Sequence, residues 1–243
     1  HCDVLIIGAG HAGVEAAIAS DRIGAKTGLI SFKKSDLGVM SCNPAMGGLG
    51  KGHLIREIDA MGGVIGRASD LSGIQFRMLN KTRGEAVQGP RAQIDRDLYS
   101  KNMQKYIKSS KIDVFEDEAI NILEKNNKIV GVECLTAGKI KSKVVILTTG
   151  TFLNDKMYAG EEVETGGRSG DPSSIPLSKK LYQLNIPMGR LKTGTPPRIK
   201  LSSIDINEME DIIMKGNQDT KLCNILYKNI LTRLSLPQRS SAA

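Results

Sequence analysis

One stretch near the start of the chain determines its architecture: Asp3-Val4-Leu5-Ile6-Ile7-Gly8-Ala9-Gly10-His11-Ala12-Gly13-Val14-Glu15-Ala16-Ala17. The apolar run from Val4 to Ile7 predicts a short buried strand of a parallel sheet. Gly8, Gly10 and Gly13 follow at the spacing of a dinucleotide-binding turn, and helix-forming alanines come next. In such turns the first glycine permits the tight turn, the second lets the backbone approach a pyrophosphate, and the third allows helix and strand to pack closely. The stretch predicts dinucleotide binding; a glycine-rich turn without a ligand is the alternative.

The composition is that of a globular protein, with 243 residues of which 40% are hydrophobic and 25% are charged. No apolar run approaches the roughly 18 residues of a membrane-spanning helix. The first apolar run is also too short for a signal peptide. Because the chain begins with His1 rather than Met, we expect it to be a fragment of a longer protein.

The four cysteines, Cys2, Cys42, Cys134 and Cys223, form no C-x-x-C pair, and the chain has 3 histidines. This pattern argues against a zinc site, so we expect no metal. It suits a reducing compartment inside the cell. We therefore expect a protein from inside the cell.

The formal net charge of +8 is concentrated in two blocks. Residues 77–111 contain 9 basic and 3 acidic side chains (9 − 3 = +6), and residues 179–200 contain 6 basic and no acidic ones (+6). Such blocks favour a polyanionic partner, although a solvated surface is the ordinary explanation. The candidate phosphate contacts are Arg83, Arg91, Arg190, Lys192 and Arg198.

Several further strands are predicted after residue 110. Ala119 to Leu123, Ile129 to Leu135 and Gly138 to Ser142 have the pattern of an antiparallel meander. The apolar segment Val144 to Leu147 then predicts a buried strand that ends in Thr-Thr-Gly. The predicted fold is α/β: a Rossmann-like FAD-binding domain of the glutathione-reductase type, with a β-meander crossover.

Other elements are predicted with less regular patterns. They are a strand over Lys26–Phe32, helices over Leu54–Ala60, Gln93–Ile107 and Ile175–Leu184, a long loop over 154–178, and an extended segment over 189–199. In the helix over Gln93–Ile107 we expect Ile94 and Leu98 to face inward, with Tyr106 as a further candidate.

The end of the predicted second strand lacks the acid that usually binds the ribose hydroxyls in dinucleotide folds. Lys33 and Lys34 stand there instead, and the nearest acid is Asp36. By the general rules for these folds, two lysines would indicate an extra phosphate, as in NADP.

Cys42 lies in a loop before a glycine-dense segment, in Ser41-Cys42-Asn43-Pro44-Ala45-Met46-Gly47-Gly48-Leu49-Gly50-Lys51-Gly52-His53. A buried inert thiol is the usual state of a free cysteine. Placement beside glycines and a helix start would instead activate a thiol. Both alternatives stay open for Cys42.

Several blocks together resemble the glucose-inhibited division protein A family, a family of tRNA uridine modification enzymes. The blocks are the glycine turn from Gly8 to Ala17, Met40–Ala45, Gly50–His53, Glu57–Ala60, Pro90–Gln93, Leu147–Leu153 and Gly189–Ile199. The resemblance runs from Asp3 to about Ile204.

The resemblance implies an enzyme with FAD in this domain and NADH as reductant, the NADH site lying outside this chain. It implies that a carbon derived from methylene-tetrahydrofolate helps to build a carboxymethylaminomethyl group at carbon 5 of the wobble uridine of tRNA. It also implies a homodimer that works with a partner GTPase, and no membrane. The location that it implies is the bacterial cytoplasm, with an organelle as the alternative. The implied FAD contacts are Gly8, Ala9, Gly10, His11, Ala12, Gly13, Ile120 and Ser174. Cys42 is the catalytic candidate, as a nucleophile on the uracil ring or as a structural thiol.

Two departures qualify the resemblance. The family's chain is much longer, so we expect an incomplete FAD-binding domain over residues 1–204 that does not turn over alone. Residues 205–243 are expected to be a divergent or truncated tail. The other functions considered are an NAD(P)- or FAD-dependent oxidoreductase acting on a small molecule, and a nucleic-acid-binding module with a vestigial fold.

Overall fold

The structure is a computed structural model that describes residues 1–41, 43–168, 170–192, 194, 203 and 205. The chain divides into two compact units, His1–Lys192 and Thr193–Ala243, and every element named below belongs to the first. The strands are β1 Cys2–Ile7, β2 Thr27–Ser31, β3 Ala45–Gly47, β4 Gly73–Leu79, β5 Gly89–Ile94, β6 Asp113–Glu116, β7 Ala119–Lys125, β8 Lys128–Cys134, β9 Gly138–Leu147, β10 Lys156–Ala159 and β11 Glu162–Thr165. The helices are α1 His11–Arg22, α2 Lys51–Ala60, α3 Ile65–Ser72, α4 Arg96–Lys108 and α5 Ile175–Gln183.

The main sheet has six strands in the order β6-β2-β1-β9-β8-β7. The first four are parallel, and β9 joins them to the antiparallel meander β7-β8-β9. The start of β9 pairs with β8, with Gly138 opposite Cys134, and its end pairs with β1, with Leu147 opposite Ile7. The predicted Rossmann-like domain with a meander crossover is therefore confirmed.

Alternating residues of the central strands enter two apolar cores, one on each face of the sheet. Ile6 and Leu29 pack with Val14 of α1 on one face, whereas Leu5 and Ile30 pack with the meander and α5 on the other. Burial on both faces explains why these strands are continuous apolar runs rather than alternating ones. Among the helices of the described residues, none has the length and apolarity to cross a membrane.

Strand β9 is one continuous strand, where the sequence suggested a third meander strand and a separate buried strand. The polar residues Lys141, Ser142 and Lys143 interrupt the apolar pattern. They lie where the strand exchanges its antiparallel partner for its parallel one, so the break marks a change of pairing and not a loop.

A second sheet, β3-β5-β4, and helix α3 were not predicted from the sequence. Strand β5 includes Gln93 and Ile94, so α4 begins three residues later than expected. The carboxylate of Asp95 starts it by accepting the N–H groups of Asp97 and Leu98, each at 3.1 Å.

The later start of α4 changes which of its residues face the core. Tyr99, Met103 and Ile107 form the buried stripe, whereas Leu98 is 42% exposed and not inward-facing as expected. The long loop predicted over 154–178 likewise contains regular structure, the hairpin β10-β11.

Candidate cofactor-binding site

The glycine turn after β1 has a backbone that only glycine adopts without strain. Gly8 has φ +101°, and a Cβ there would stand 2.8 Å from the carbonyl carbon of Thr148. Its N–H donates to the carbonyl of Ile30 at 3.0 Å, which ties the turn to β2. The turn is therefore held between the two neighbouring strands of the sheet.

Gly10 and Gly13 serve different purposes. A Cβ on Gly13 would overlap the carbonyl oxygen of Gly8 and stand 2.8 Å from the hydroxyl oxygen of Thr148, so only glycine lets α1 pack this closely on β1. At Gly10, the residue before α1, a Cβ would meet no protein atom within 4 Å. The space that a Cβ would occupy at Gly10 is thus empty of protein atoms, whereas the same space at Gly13 is filled by protein.

The cleft beside Gly10 lies at the carboxyl ends of the parallel strands, where open α/β sheets bind their ligands. Its empty space, including the part open to solvent, is about 710 Å³. The lining residues come from the ends of β1, β2 and β9, the start of β7 and the loops that follow: Ile7, Gly8, Ala9, Gly10, Ile30, Ser31, Phe32, Asp36, Val39, Ser41, Asp117, Ala119, Thr148, Thr149, Gly150, Phe152, Arg168, Ser174 and Leu177. Helix α1 starts at this cleft with unpaired N–H groups and the positive end of its dipole, which favour an anionic group.

Thr148 fastens the glycine turn from the side of β9. Its N–H donates to the carbonyl of Ile7 at 2.9 Å, and its hydroxyl lies 2.9 Å from that oxygen and 2.8 Å from the carbonyl oxygen of Gly8. The hydroxyl has one proton, so it donates to one of these two oxygens at a time. Sequence reasoning placed Thr148 at the end of a buried strand and gave it no role.

His11 begins α1 and packs its ring against Tyr99 of α4. The ring centroids are 5.6 Å apart and nearly perpendicular, and the Tyr99 hydroxyl lies 3.4 Å from Nδ1 of His11. Burial, assisted by the charge of Lys51, lowers the pKa of His11 to about 4. His11 is therefore neutral at pH 7 and adds no positive charge to the start of the helix.

The far wall of the cleft is built from the start of β7 and the residue before α5. Asp117 accepts N–H groups from Glu118, Thr136 and Ala137. Burial raises the pKa of Asp117, but these hydrogen bonds outweigh it and leave the pKa below its ordinary value. Ser174 is buried, and its hydroxyl reaches Oε1 of Glu118 at 3.2 Å.

A network of four charged side chains closes the end of the cleft at the end of β2. Arg168 donates to Asp36 at 3.0 Å and to Asp171, and Lys33 donates to Asp171 at 3.1 Å. Burial opposes the shift, but Lys33 and Arg168 lower the pKa of Asp171. Asp36 and Arg168 both line the cleft, and sequence reasoning did not assign either of them to it. Since Arg168 is 132 positions from Asp36, no local pattern could connect them.

Glu15 connects the glycine motif to the second sheet. It is buried on α1, and its Oε1 accepts the N–H groups of Val64, at 2.8 Å, and Ile65 at the start of α3. A carboxylate at this position satisfies donors that a helix cannot pair internally and complements its dipole. Burial raises the pKa of Glu15 despite these bonds.

The expected FAD contacts fall in three groups. Gly8, Ala9, Gly10 and Ser174 line the cleft; His11, Ala12 and Gly13 form the first turn of α1. Ile120 follows the cleft residue Ala119 in β7, at a register shift that leaves it without a partner residue in β8. Cys42, the expected catalytic residue, lies outside the described residues, although its neighbour Ser41 lines the cleft.

The expected phosphate contacts that the structure describes do not line this cleft. Arg83, Arg190 and Lys192 are exposed and Arg91 is half-buried, whereas Arg198 lies outside the described residues. Arg190 donates to the carbonyl of Asn154 at 3.1 Å. Over the part of the chain that the structure describes, no group of three or more His, Cys, Asp or Glu side chains is placed to hold a metal ion.

Comparison with known proteins relates this chain to one family. The model of the family described as glucose-inhibited division protein A matches residues 3–233, which extends past the point near Ile204 where the resemblance was expected to end. The chain is 50% identical over 230 residues to the tRNA uridine 5-carboxymethylaminomethyl modification enzyme MnmG of Buchnera aphidicola. That match covers 93% of this chain and 36% of the relative, so the chain spans about a third of the relative's length.

Solved structures give the same relationship. The chain is similar to Aquifex aeolicus GidA, with a TM-score of 0.80 and 45% identity over 86% of this chain and 35% of that one. It is also similar in fold to the GidA-related protein from Thermus thermophilus, with a TM-score of 0.53 and 21% identity over 75% of this chain and 68% of that one.

Proposed function

Because this chain belongs to the glucose-inhibited division protein A family, we propose that it forms the FAD-binding part of an enzyme that modifies uridine in tRNA. The observation that carries the proposal is the open space at Gly10, between the first turn of α1 and the cleft. A pyrophosphate fits there, since it needs a close backbone approach and the N–H groups of a helix start.

The residues around the cleft suit the parts of FAD. Gly8 to Gly13 would hold the pyrophosphate, and Ser174 and Ile120 would contact the adenosine half. When bound, the flavin supplies the electron transfer, and the protein supplies binding, orientation and electrostatics. These roles for single residues are part of the proposal.

The charges at the end of β2 favour FAD over NADP. NADP would need free cations for its additional phosphate. Lys33 is paired with Asp171, and Arg168 is shared between Asp171 and Asp36, whereas Lys34 forms no ion pair in the described part of the chain. An additional phosphate would have to displace these carboxylates to reach Lys33 or Arg168, whereas FAD carries no phosphate at that position.

We extend the proposal to the reaction in the name of the similar protein from Buchnera aphidicola, the tRNA uridine 5-carboxymethylaminomethyl modification enzyme. The substrate is then a tRNA uridine, and the product carries a carboxymethylaminomethyl group at carbon 5. NADH as reductant, methylene-tetrahydrofolate as carbon donor, a homodimer, a partner GTPase and a cytoplasmic location follow from the family resemblance alone. Phosphate contacts would provide most of the affinity for tRNA, and the basic blocks of residues 77–111 and 179–200 are the candidates.

The test is flavin binding by the purified chain. We expect the chain to retain stoichiometric FAD after incubation and gel filtration, with the visible spectrum of a bound flavin, and we expect excess NADP not to displace it. A colourless protein after reconstitution, or displacement by NADP, would contradict the proposed cofactor. Binding of labelled tRNA to the flavin-loaded chain tests the substrate class separately.

A further inference from the structure

The second sheet has one side that faces the core and one more polar side, which also carries Leu79 and the buried Ala45. Strand pairing sets Phe76 and Met46 opposite Ala92, and Met46 and Ala92 belong to the core together with Ile65 of α3. Successive side chains of a strand point to opposite faces. Residues Gln75 and Arg77 of β4, and Arg91 and Gln93 of β5, therefore share the face that points away from this core.

On that polar face two arginines stand directly opposite each other. Arg77 pairs with Arg91 across β4 and β5, and Gln75 pairs with Gln93 on the same face. Opposed side chains of an antiparallel pair have Cβ atoms about 4.5–5.5 Å apart, and like charges at this distance destabilise a sheet. Strand pairing thus concentrates positive charge at one point.

Asp70 of α3 lines the same pocket as both arginines, but it forms no ion pair with either of them. Neither arginine forms an ion pair in the described part of the chain. Strands β3, β4 and β5 contain no Asp or Glu. On the other side of Arg91 the partner residue in β3 is Gly47, which has φ +100° and where a Cβ would stand 3.0 Å from the α-carbon of Arg91. On the β3 side, therefore, no side chain lies directly opposite Arg91.

This face lies near the cofactor cleft. Ser41 lines the cleft and Ala45 begins β3, and four residues of chain span at most about 14 Å. At its other end β5 leads into α4, whose Tyr99 packs on His11 at the start of α1. A ligand held on the face would lie beside the cleft in which we place the flavin.

We propose that Arg77 and Arg91 bind phosphodiester groups of the substrate RNA, with Gln75 and Gln93 donating further hydrogen bonds. Two guanidinium groups facing each other match the paired oxygens of a phosphate, because each offers a planar fork of N–H donors. A bridging phosphate would also remove the repulsion between them. The inference rests on the proposed function, since it takes tRNA as the substrate.

The experiment measures binding of fluorescently labelled tRNA to the flavin-loaded chain across a series of salt concentrations. The test variant is Arg77→Gln/Arg91→Gln. The control, Lys139→Gln/Lys141→Gln, removes the same charge from two exposed lysines of β9. We expect the arginine variant to weaken tRNA binding roughly tenfold or more, and to reduce the slope of log affinity against log salt by about 1 for each arginine. The control should retain most of the affinity.

Further measurements separate the alternatives. FAD content and melting temperature should match the wild type, because the substitution removes a repulsion and leaves the core unchanged. Arg77→Lys/Arg91→Lys should bind tRNA with an intermediate affinity, since the charge is kept and the planar fork of donors is lost.

Four outcomes would count against the inference. If Arg77→Gln/Arg91→Gln has the affinity and salt slope of the wild type, or if the lysine control loses as much affinity, the inference is overturned and the proposed function stays intact. Loss of FAD would assign the arginines to the cofactor and also overturn it. Failure of the wild-type chain to bind tRNA would remove both the inference and the proposed substrate.

Discussion

The hydroxyl oxygen of Thr148, just after β9, lies 2.8 Å from the carbonyl oxygen of Gly8 in the glycine turn. The two residues are 140 positions apart in the chain. When the hydroxyl donates to this oxygen, it holds the carbonyl that lies against Gly13, where the helix packs closely on the strand. The shape of the candidate pyrophosphate site therefore depends on a strand that the glycine motif does not contain.

Thr148→Val should weaken FAD binding while the chain stays folded. Valine has nearly the same shape and lacks the hydroxyl, so the variant loses one hydrogen bond worth about 0.5–1.5 kcal/mol, or about a 2- to 13-fold rise in Kd. Titration of the FAD-free chain with FAD measures this Kd in the variant and in the wild type. Thr165→Val on the exposed strand β11 is the control, and an equal effect there would mean that the Thr148 bond does not support the site.

Substitutions at Gly10 and Gly13 should have opposite consequences. Gly10→Val should fold and lose FAD, because its side chain would enter open space where the pyrophosphate is expected. Gly13→Ala should unfold at lower temperature, because its Cβ would overlap the carbonyl oxygen of Gly8. Circular dichroism melting and flavin absorbance distinguish the two, and stoichiometric flavin in Gly10→Val would show that the pyrophosphate lies elsewhere.

His11 should make the FAD-free chain lose stability as the pH falls from 6.5 towards 4. Its pKa is about 4 in the folded protein against an ordinary value of 6.5. The unfolded chain therefore takes up a proton that the folded chain does not, and stability falls with pH across this window. At 1.36 kcal/mol for each pKa unit, the loss is about 3 kcal/mol.

Urea unfolding at several pH values gives the free energy of unfolding of the wild type and of His11→Gln. The difference between their slopes against pH measures the contribution of His11. Carboxylates that titrate in the same window affect both proteins and cancel in the difference. Parallel pH dependences would mean that His11 is protonated as easily in the folded chain as in the unfolded one.

Glu15→Ala should lower the free energy of unfolding by about 2–6 kcal/mol. It leaves the N–H groups of Val64 and Ile65 without their acceptor, and a buried donor left unsatisfied costs about 1–3 kcal/mol. Glu15→Gln keeps one carbonyl acceptor and should cost less. Glu57→Ala, at a solvent-accessible position of α2, provides the control and should stay within about 0.5 kcal/mol of the wild type in chemical denaturation.

Thiol labelling should identify Cys42 as a reactive cysteine. Burial raises the pKa of Cys2, and burial with the charge of Asp117 raises that of Cys134 to about 11, so both thiols should react slowly at neutral pH. In a Cys223→Ser background we expect one fast-reacting thiol. Adding Cys42→Ser should remove the fast phase and retain FAD, and adding Cys134→Ser should leave the fast phase unchanged; a slow Cys42 would favour the structural role.

The elements predicted well are those with a strong local signal. The strand before Gly8, the glycine turn and the helix after it appear as expected, because an apolar run, a glycine spacing and helix-forming alanines each act over a few residues. The sheet β3-β5-β4 was missed because β3 and β5 are rich in glycine, proline and alanine, which are depleted in strands. Pairing with each other and burial of one face decide their conformation.

The dinucleotide-type fold, the meander crossover, and the positions of Gly8, Gly10 and Gly13 in the turn follow from the order of residues alone. Local sterics and the period of apolar residues are sufficient for these features. Three relationships became visible only in the folded chain. Thr148 hydrogen-bonds to the glycine turn, Arg168 forms an ion pair with Asp36, and Arg77 lies opposite Arg91. The residues in these pairs are separated by 140, 132 and 14 positions, and strand order and register, set by burial of the whole sheet, bring them together.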